Sequence, residues 1–448
     1  MNVKQAYRFA LEPTPAQERM LRSHAGAARF AWNWGLATCQ ERYAAGGKWC
    51  SAIDLYKLWN AAKKADPALA WWSENSKCAY QEGFRDLERA LRNFVKSKKG
   101  ERKGRRLGFP RFKKRGRCRD SFRLTGDRVT CSGKTVTLTR IGTIATHEST
   151  RKLARKLDKG TARILSATVS RTAQRWFVSF TVEVDRAVPQ RHPRPGSAIG
   201  IDLGVKTLLT GMDDRGNLIT VPGPRALGSS LQRLRRASRA HSRKTKGSAN
   251  RRKAADRLAR LHARAANVRA DALHKATSDL ATRYAVVACE DLNVAGMTRN
   301  RRLARAIADQ GFGQARGMLA YKTTWNSGKL ILAGRFYPSS KTCSGCGTVK
   351  AKLALSERTY HCQTCGLIVD RDVNAAANLL KLAASGAERT NACGGTVRPG
   401  SAGHVSVKQE PGTTPAGKAG TAARQQAATG GGTLMRTHPV TVGGNYDV

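Results

Sequence analysis

Two cysteine pairs, Cys343-x-x-Cys346 and Cys362-x-x-Cys365, separated by fifteen residues, constrain the local fold of this chain more than any other pattern in it. At this spacing each pair sits on a tight knuckle, and four thiolates complete a tetrahedron around one Zn²⁺. Gly347 and Gly366 follow the second cysteine of each pair, where a knuckle has to turn. A site closed by four thiolates is structural, so the chemistry has to come from other residues. The remaining cysteines, Cys39, Cys50, Cys78, Cys118, Cys131, Cys289 and Cys393, have no partner at ligand spacing and read as reduced, buried or incidental thiols.

The residues that could carry chemistry are acidic, and acids are scarce here. The chain has 81 Lys and Arg against 31 Asp and Glu, a formal net charge of +50 that suits a nucleic-acid backbone. Three acidic stretches nevertheless stand at the edges of apolar segments: Gly200-Ile201-Asp202-Leu203-Gly204, Cys289-Glu290-Asp291-Leu292 and Asp370-Arg371-Asp372-Val373-Asn374-Ala375-Ala376. Phosphodiester cleavage by two metal ions needs a few carboxylates at one point to hold Mg²⁺ against a polyanion. Asp202 ends the strand-like Ala198-Ile199-Gly200-Ile201, where an unpaired carboxylate is costly unless it binds a metal or a partner, though strand-end Asp residues also cap turns. Glu290 follows a second apolar run, 285–289. Asp370 and Asp372 precede a helix-forming run, and capping accounts for one of them. Asp372 is assigned the metal because it lies on the helical segment, whereas Asp370 ends the preceding strand. Asp291, Asp213, Asp214 and Asp271 read as turn, cap or ion-pair residues. The predicted catalytic, Mg²⁺-binding set is Asp202, Glu290 and Asp372, and the predicted Zn²⁺ ligands are Cys343, Cys346, Cys362 and Cys365.

At 448 residues the chain should form two to four domains. A short strand over 7–11 leads to a helix start at Thr14, with Pro15 in its first turn. Leu21, Ala25, Ala28, Phe30, Ala31, Trp34 and Leu36 recur at helical spacing, and 55–64 and 80–95 repeat it with Trp59, Leu87, Leu91 and Phe94, predicting a helical block with its aromatics in the core. Residues 96–119 are densely basic, and Gly108-Phe109-Pro110-Arg111-Phe112-Lys113-Lys114 predicts phosphate contact. Strand patterns at 121–124, 128–131, 135–138, 164–170 and 176–184 predict a β module into which the helices are inserted. After a Pro-rich linker at 188–195, strands are expected at 198–203 and 206–210, then cationic helices at 231–243 and 253–282. The second helix carries Leu258, Leu261, Ala265, Val268, Ala272, Ala276 and Leu280 on one face, and its single-sign charge suits a polyanion. Residues 383–448, rich in Gly, Ala, Thr and Pro, are expected to be a disordered tail. No apolar run approaches the roughly 20 residues of a membrane span, and the first fifteen residues lack a signal peptide's core, so the expected location is cytoplasmic.

Taken together, these residues resemble the TnpB family, also called OrfB: insertion-sequence-encoded RNA-guided DNA endonucleases related to compact type V CRISPR effectors. The resemblance runs from Leu11-Glu12-Pro13-Thr14, Gln17 and Arg29-Phe30, through Pro110-Arg111-Phe112-Lys113 and the Asp202 stretch, to Asn267, Arg269, Asp271, His274-Lys275, Glu290-Asp291-Leu292, the cysteine pairs and Asp372-Val373-Asn374-Ala375-Ala376. It implies a multidomain α+β fold: a β-barrel wedge domain (1–15 and 100–188) with an inserted helical recognition lobe (16–99), then an RNase H-like RuvC nuclease domain (196–337 and 369–382) containing a zinc ribbon (338–368). Asp202, Glu290 and Asp372 match the family's three acids. The implied partners are a guide RNA and a target DNA duplex bearing a short adjacent motif, with no membrane; a homodimer is left open. The implied cofactors are two catalytic Mg²⁺ and one structural Zn²⁺. Competing readings are a guide-dependent repressor that does not cut, a strand-joining transposase, and a zinc-ribbon RNA-binding protein, the last favoured only if the acids do not converge. His274 and Lys275 could contact nucleic acid or simply lie on a helix surface. The tail after 383 matches nothing in the family.

Overall fold

The structure, a computed structural model, describes residues 1–125, 129–354 and 356–385. The first strand, β1 (Asn2–Glu12), is followed by α1 (Pro15–Ala44), α2 (Ala52–Ala65), a 3₁₀ segment (Pro67–Glu74) and α3 (Lys77–Lys98). Then come β2 (Ser121–Thr125), β3 (Thr130–Ser132), β4 (Thr135–Leu138), β5 (Gly142–Thr146), α4 (Arg151–Asp158), β6 (Ala162–Thr172) and β7 (Arg175–Asp185). Helix α1 begins where the sequence dictates: Thr14 Oγ1 accepts from Gln17 N–H, the Gln17 side chain accepts from Thr14 N–H, and Pro15 fills the first turn. Leu21, Leu36, Leu55, Trp59, Phe84 and Leu87 are fully buried where the helices pack; of the aromatics expected in the core, Trp59 is buried and Phe30, Trp34 and Phe94 are half-buried.

All seven strands form one antiparallel sheet in the order β2-β6-β7-β1-β5-β4-β3. Strand β1 lies inside it, paired with β7 over Asn2–Leu11 and with β5 at its end, so the helical block is inserted between two strands of one sheet. The sheet order is open between β2 and β3 among the described residues, so backbone pairing does not close the expected barrel. Helix α4 packs against both β3 and β6 on that side. Neither α4 nor β5 was anticipated, because α4 buries only Leu153 and Ala154 and β5 begins with exposed Gly142 and Thr143. In the basic segment, Phe109 packs against Trp49 and Phe94, while Lys113 Nζ lies 3.7 Å from the Trp32 ring centroid. These contacts anchor the segment to the helical block and leave Arg111, Lys114 and Arg117 exposed.

The second half contains β8 (Ala198–Asp202), β9 (Leu209–Asp213), β10 (Leu218–Val221), α5 (Ala226–Ser242), α6 (Ala249–Arg283), β11 (Val286–Glu290), α7 (Val294–Met297), α8 (Ala304–Gln310), α9 (Phe312–Trp325), β12 (Lys329–Ala333), β13 (Thr359–His361), β14 (Ile368–Asp370) and α10 (Arg371–Ser385). Its main sheet runs β10-β9-β8-β11-β12, with β8, β11 and β12 parallel and the β8–β9–β10 meander antiparallel. The strand expected at 206–210 is shifted to Leu209–Asp213, because pairing Thr210 with Asp202 needs the intervening residues for the turn.

Side chains alternate across each strand. Ile199, Ile201, Val287 and Cys289 enter the core shared with α6 and α9, while Ala198 and Ala288 enter the core shared with α10. The expected apolar face of α6 is only partly correct. Ala265 and Leu280 are buried, but Val268 is 45% exposed, and Leu273, Thr277 and Ala281 complete the buried set. The buried stretch is the C-terminal half of α6, and α6 packs against both α5 and α9. Among the described residues no helix is long and apolar enough to cross a membrane. The expected tail from 386 onward lies outside the described residues; 383–385 belong to α10, and Ala383 is buried.

Candidate active site and metal centre

Strand alternation puts Asp202 on the same face of β8 as Gly200, and Glu290 on the same face of β11 as Ala288. The parallel register pairs Cys289 with Ile201, so Glu290 and Asp202 occupy the next step on adjacent strands. Helix α10 crosses that face. A Cβ on Gly200 would lie 2.1 Å from Leu380 N and 2.2 Å from Ala376 O, a contact only glycine permits. This close crossing brings the first turn of α10 to the ends of β8 and β11. A Cβ on Gly204 would lie 3.8 Å from Asp372 Oδ2.

Asp202, Glu290 and Asp372 therefore line one cleft of about 900 Å³, together with Lys206, Arg225, Arg302, Arg305, Arg358 and Arg371. The Asp202 carboxyl is pushed up to about 8, first by burial and then by the charges of Glu290 and Asp372, with Arg371 opposing. Burial also raises Glu290, offset by the Ser339 hydroxyl that donates to Oε1 and by Arg371. Arg358 lies 3.9 Å from Asp372. Among the described residues, only the four cysteines bring at least three ligand atoms within 4.8 Å of one another; the carboxylates share the cleft at wider spacing. Oxygen donors alone, mutually repelling and partly desolvated, are the donor set a hard divalent cation such as Mg²⁺ accepts.

The neighbouring acids have different roles. Asp370 Oδ1 accepts from the N–H of Asp372 at 2.8 Å and of Val373 at 3.3 Å, so Asp370 caps α10 and leaves the Asp372 carboxylate to the cleft. Asp291 pairs with Arg316, and Asp271 with Lys275 at 2.8 Å. Asp213 accepts from Arg215, Asn217 and Tyr284 to hold a turn. His274 and Lys275 are exposed on α6, where the His274 carbonyl accepts from Lys322.

The cysteine pairs meet as the spacing requires. Cys343 Sγ lies 3.6 Å from Cys365 Sγ, and Cys346 Sγ lies 3.6 Å from Cys362 Sγ. Four sulfurs about 2.3 Å from a central Zn²⁺ would stand about 3.8 Å apart, so the cluster fits that ion. Gly347 and Gly366 have φ of 81° and 73°, the left-handed turns predicted for the knuckles. The Thr348 hydroxyl and backbone hold the Cys346 thiol down at about 6, favouring the metal-binding thiolate.

The sequence assigned no role to Ser339, Asn374 or Asn378, all buried where α10 meets this cluster. Asn374 Nδ2 donates to Thr342 O at 2.7 Å and its Oδ1 accepts from Ser344 N–H at 2.9 Å. Asn378 Nδ2 donates to Ser339 O at 2.8 Å and to Thr342 O at 2.7 Å. The available signal was two asparagines four residues apart on the buried face of an Ala-rich helix, where amides need partners.

Three family descriptions match the chain: "Probable transposase" over 179–301, which holds Asp202 and Glu290; "Cas12f1-like, TNB domain" over 312–379, which holds the four cysteines and Asp372; and "Helix-turn-helix domain" over 1–48. Over that last range the structure has β1 and the whole of the single long helix α1. A Mycobacterium tuberculosis protein named "Putative RNA-guided DNA endonuclease" is 38% identical, covering 84% of this chain and 86% of its own. The Escherichia coli K12 protein "Putative RNA-guided DNA endonuclease InsQ" is 32% identical over 91% of this chain and 97% of its own. The structure titled "Cryo-EM structure of the Cas12f1-sgRNA-target DNA complex" matches in fold, with a TM-score of 0.50 at 12% identity, over 84% of this chain and 98% of that one. With relatives this similar over most of both sequences, the protein belongs to the TnpB (OrfB) family.

Proposed function

We propose that the chain is an RNA-guided, Mg²⁺-dependent DNA endonuclease of a transposable element, cutting target DNA beside a short motif. One observation carries this reading: Asp202, Glu290 and Asp372, from three separated elements, line a single cleft rimmed by Arg and Lys side chains. The names of the two relatives and the strand order of the second sheet support it. In this reading the first half is the wedge domain with its recognition lobe, the second half is the RuvC-like nuclease, and 338–368 form the ribbon.

Bound between the three carboxylates, paired Mg²⁺ would lower the pKa of an attacking water and stabilise the leaving 3′ oxygen. The chain's own groups prepare that place. Burial and repulsion from Glu290 and Asp372 disfavour the charged Asp202 carboxylate, Ser339 orients Glu290, and the Asp370 cap frees Asp372. Arg302, Arg305 and Lys206 along the rim would hold the phosphates of a strand entering the cleft. The zinc centre stays outside the chemistry. Guide pairing would read the sequence, leaving the protein to bind backbone and shape.

The test loads the full chain with its co-expressed RNA and offers a matching duplex across a randomised motif library with Mg²⁺. Cleavage by the parent and none by Asp202→Ala is expected. Equal products from both would end the nuclease reading, and guide-dependent binding without cleavage would favour a repressor.

A further inference from the structure

The segment 339–344 touches three things at once. Ser339 Oγ donates to Glu290, Cys343 belongs to the thiolate cluster, and the backbone of Ser339, Thr342 and Ser344 is bonded by Asn374 and Asn378 of α10. Asn374 lies two residues beyond Asp372 and is fully buried. We propose that Asn374 and Asn378 are positioning residues of a relay: through them, the cysteine-bound knuckle fixes the first turn of α10, and through Ser339 it fixes Glu290, so the zinc centre sets the spacing of the carboxylates. This deepens the proposed nuclease reading and rests on it.

The physical case is that the two amides add buried anchors to the restraints α10 has at this end, namely the Asp370 cap, the Arg371 bonds to the Ala354 and Arg358 carbonyls and the crossing on Gly200. Asp372 and its neighbours in the first turn are only half-buried, whereas the two amides are enclosed and donate to carbonyls of a loop that the thiolates close. Thr342 O accepts from both amides, so one peptide group registers the knuckle against two successive turns of the helix. Removing Asn374 takes the acceptor from the Ser344 N–H, removing Asn378 takes the donor from the Ser339 carbonyl, and either releases that register. Outer-shell groups of this kind typically change metal affinity or activity 10- to 100-fold.

Hydrogen exchange of the RNA-loaded full chain, read beside its Mg²⁺ requirement for cleavage, tests the relay. Asn374→Ala and Asn378→Ala should each keep one bound zinc and parental RNA affinity. Exchange should rise in 339–344 and in the first turn of α10 together, and the Mg²⁺ concentration for half-maximal cleavage should rise about 10- to 100-fold. Ser339→Ala, which deletes one hydroxyl and keeps the α10 contacts, should raise the Mg²⁺ requirement without loosening α10, and it serves where an Asn variant does not fold. Opening of 339–344 with parental exchange in α10 and a parental Mg²⁺ requirement overturns the relay, as does a parental requirement in Ser339→Ala. If the parent does not cut but the two segments still loosen together, the nuclease reading fails while the relay stands.

Discussion

The four cysteines and the three carboxylates are both candidate metal centres, yet they are built in opposite ways. The cysteines lie within 23 residues, on two knuckles whose turns are encoded by adjacent glycines, and their sulfurs pack at 3.6 Å across each pair. The carboxylates come from a central strand, its parallel neighbour and α10, and they meet where α10 lies almost on the backbone of Gly200. A local centre can form from a short segment and a metal, whereas the assembled one depends on the whole second sheet.

The largest effect is expected at the carboxylates. Asp372→Ala should lower cleavage by on the order of 10³-fold or more, the scale of several kcal/mol of lost charge stabilisation, while zinc content and RNA binding stay parental. A variant retaining full cleavage would remove Asp372 from the site. Cys362→Ser should instead lose the zinc, with elemental analysis falling from one ion per chain to none and residues 338–368 becoming protease-sensitive. Retained zinc would mean the local centre does not need all four thiolates.

Gly200→Ala asks whether the assembled centre depends on helix crossing. The added methyl would meet backbone, so a destabilisation of about 3 kcal/mol by denaturant unfolding is expected, with cleavage lost while zinc is kept. An unchanged midpoint would show that α10 can shift without cost.

Acidity offers a subtler contrast. In Mg²⁺-free buffer the native Asp202 carboxyl keeps its proton up to about 8, whereas the unfolded chain releases it near the ordinary carboxylate value. The native state then binds the extra proton, so stability should fall as pH rises from about 4 to about 8. Asp202→Asn should flatten that decline, and Mg²⁺ should relieve it in the parent. Parallel midpoint-against-pH curves for parent and variant would contradict the crowding of the acids. The smallest effect belongs to Asp370→Ala, which should cost about 1 kcal/mol as a lost helix cap and change cleavage only a few-fold. A loss as large as that of Asp372→Ala would reverse their roles.

Legibility in the sequence followed the range of the interactions. The Thr14 capping box, the strand at 135–138 and the glycine turns depend on residues within a few positions, and all were readable. Strand β12, five residues long, and helix α4, eight residues and about two turns, are short and escaped. Asp372 could be preferred over Asp370 because a carboxylate just before a helix can reach its first free N–H groups. The partners of Asn374 and Asn378 lie 30 to 39 residues away and had no local trace.

The four-cysteine cluster, the basic character of the chain, the three acids and the family to which they point were all legible in the sequence, because each rests on residue type and near spacing. The fold as a whole set three things that no local pattern carried: among the described residues the first sheet is open between β2 and β3, the buried face of α6 is its C-terminal half, and two amides tie the thiolate knuckle to the helix bearing Asp372. These depend on which surfaces meet, and that is set by packing across the whole chain.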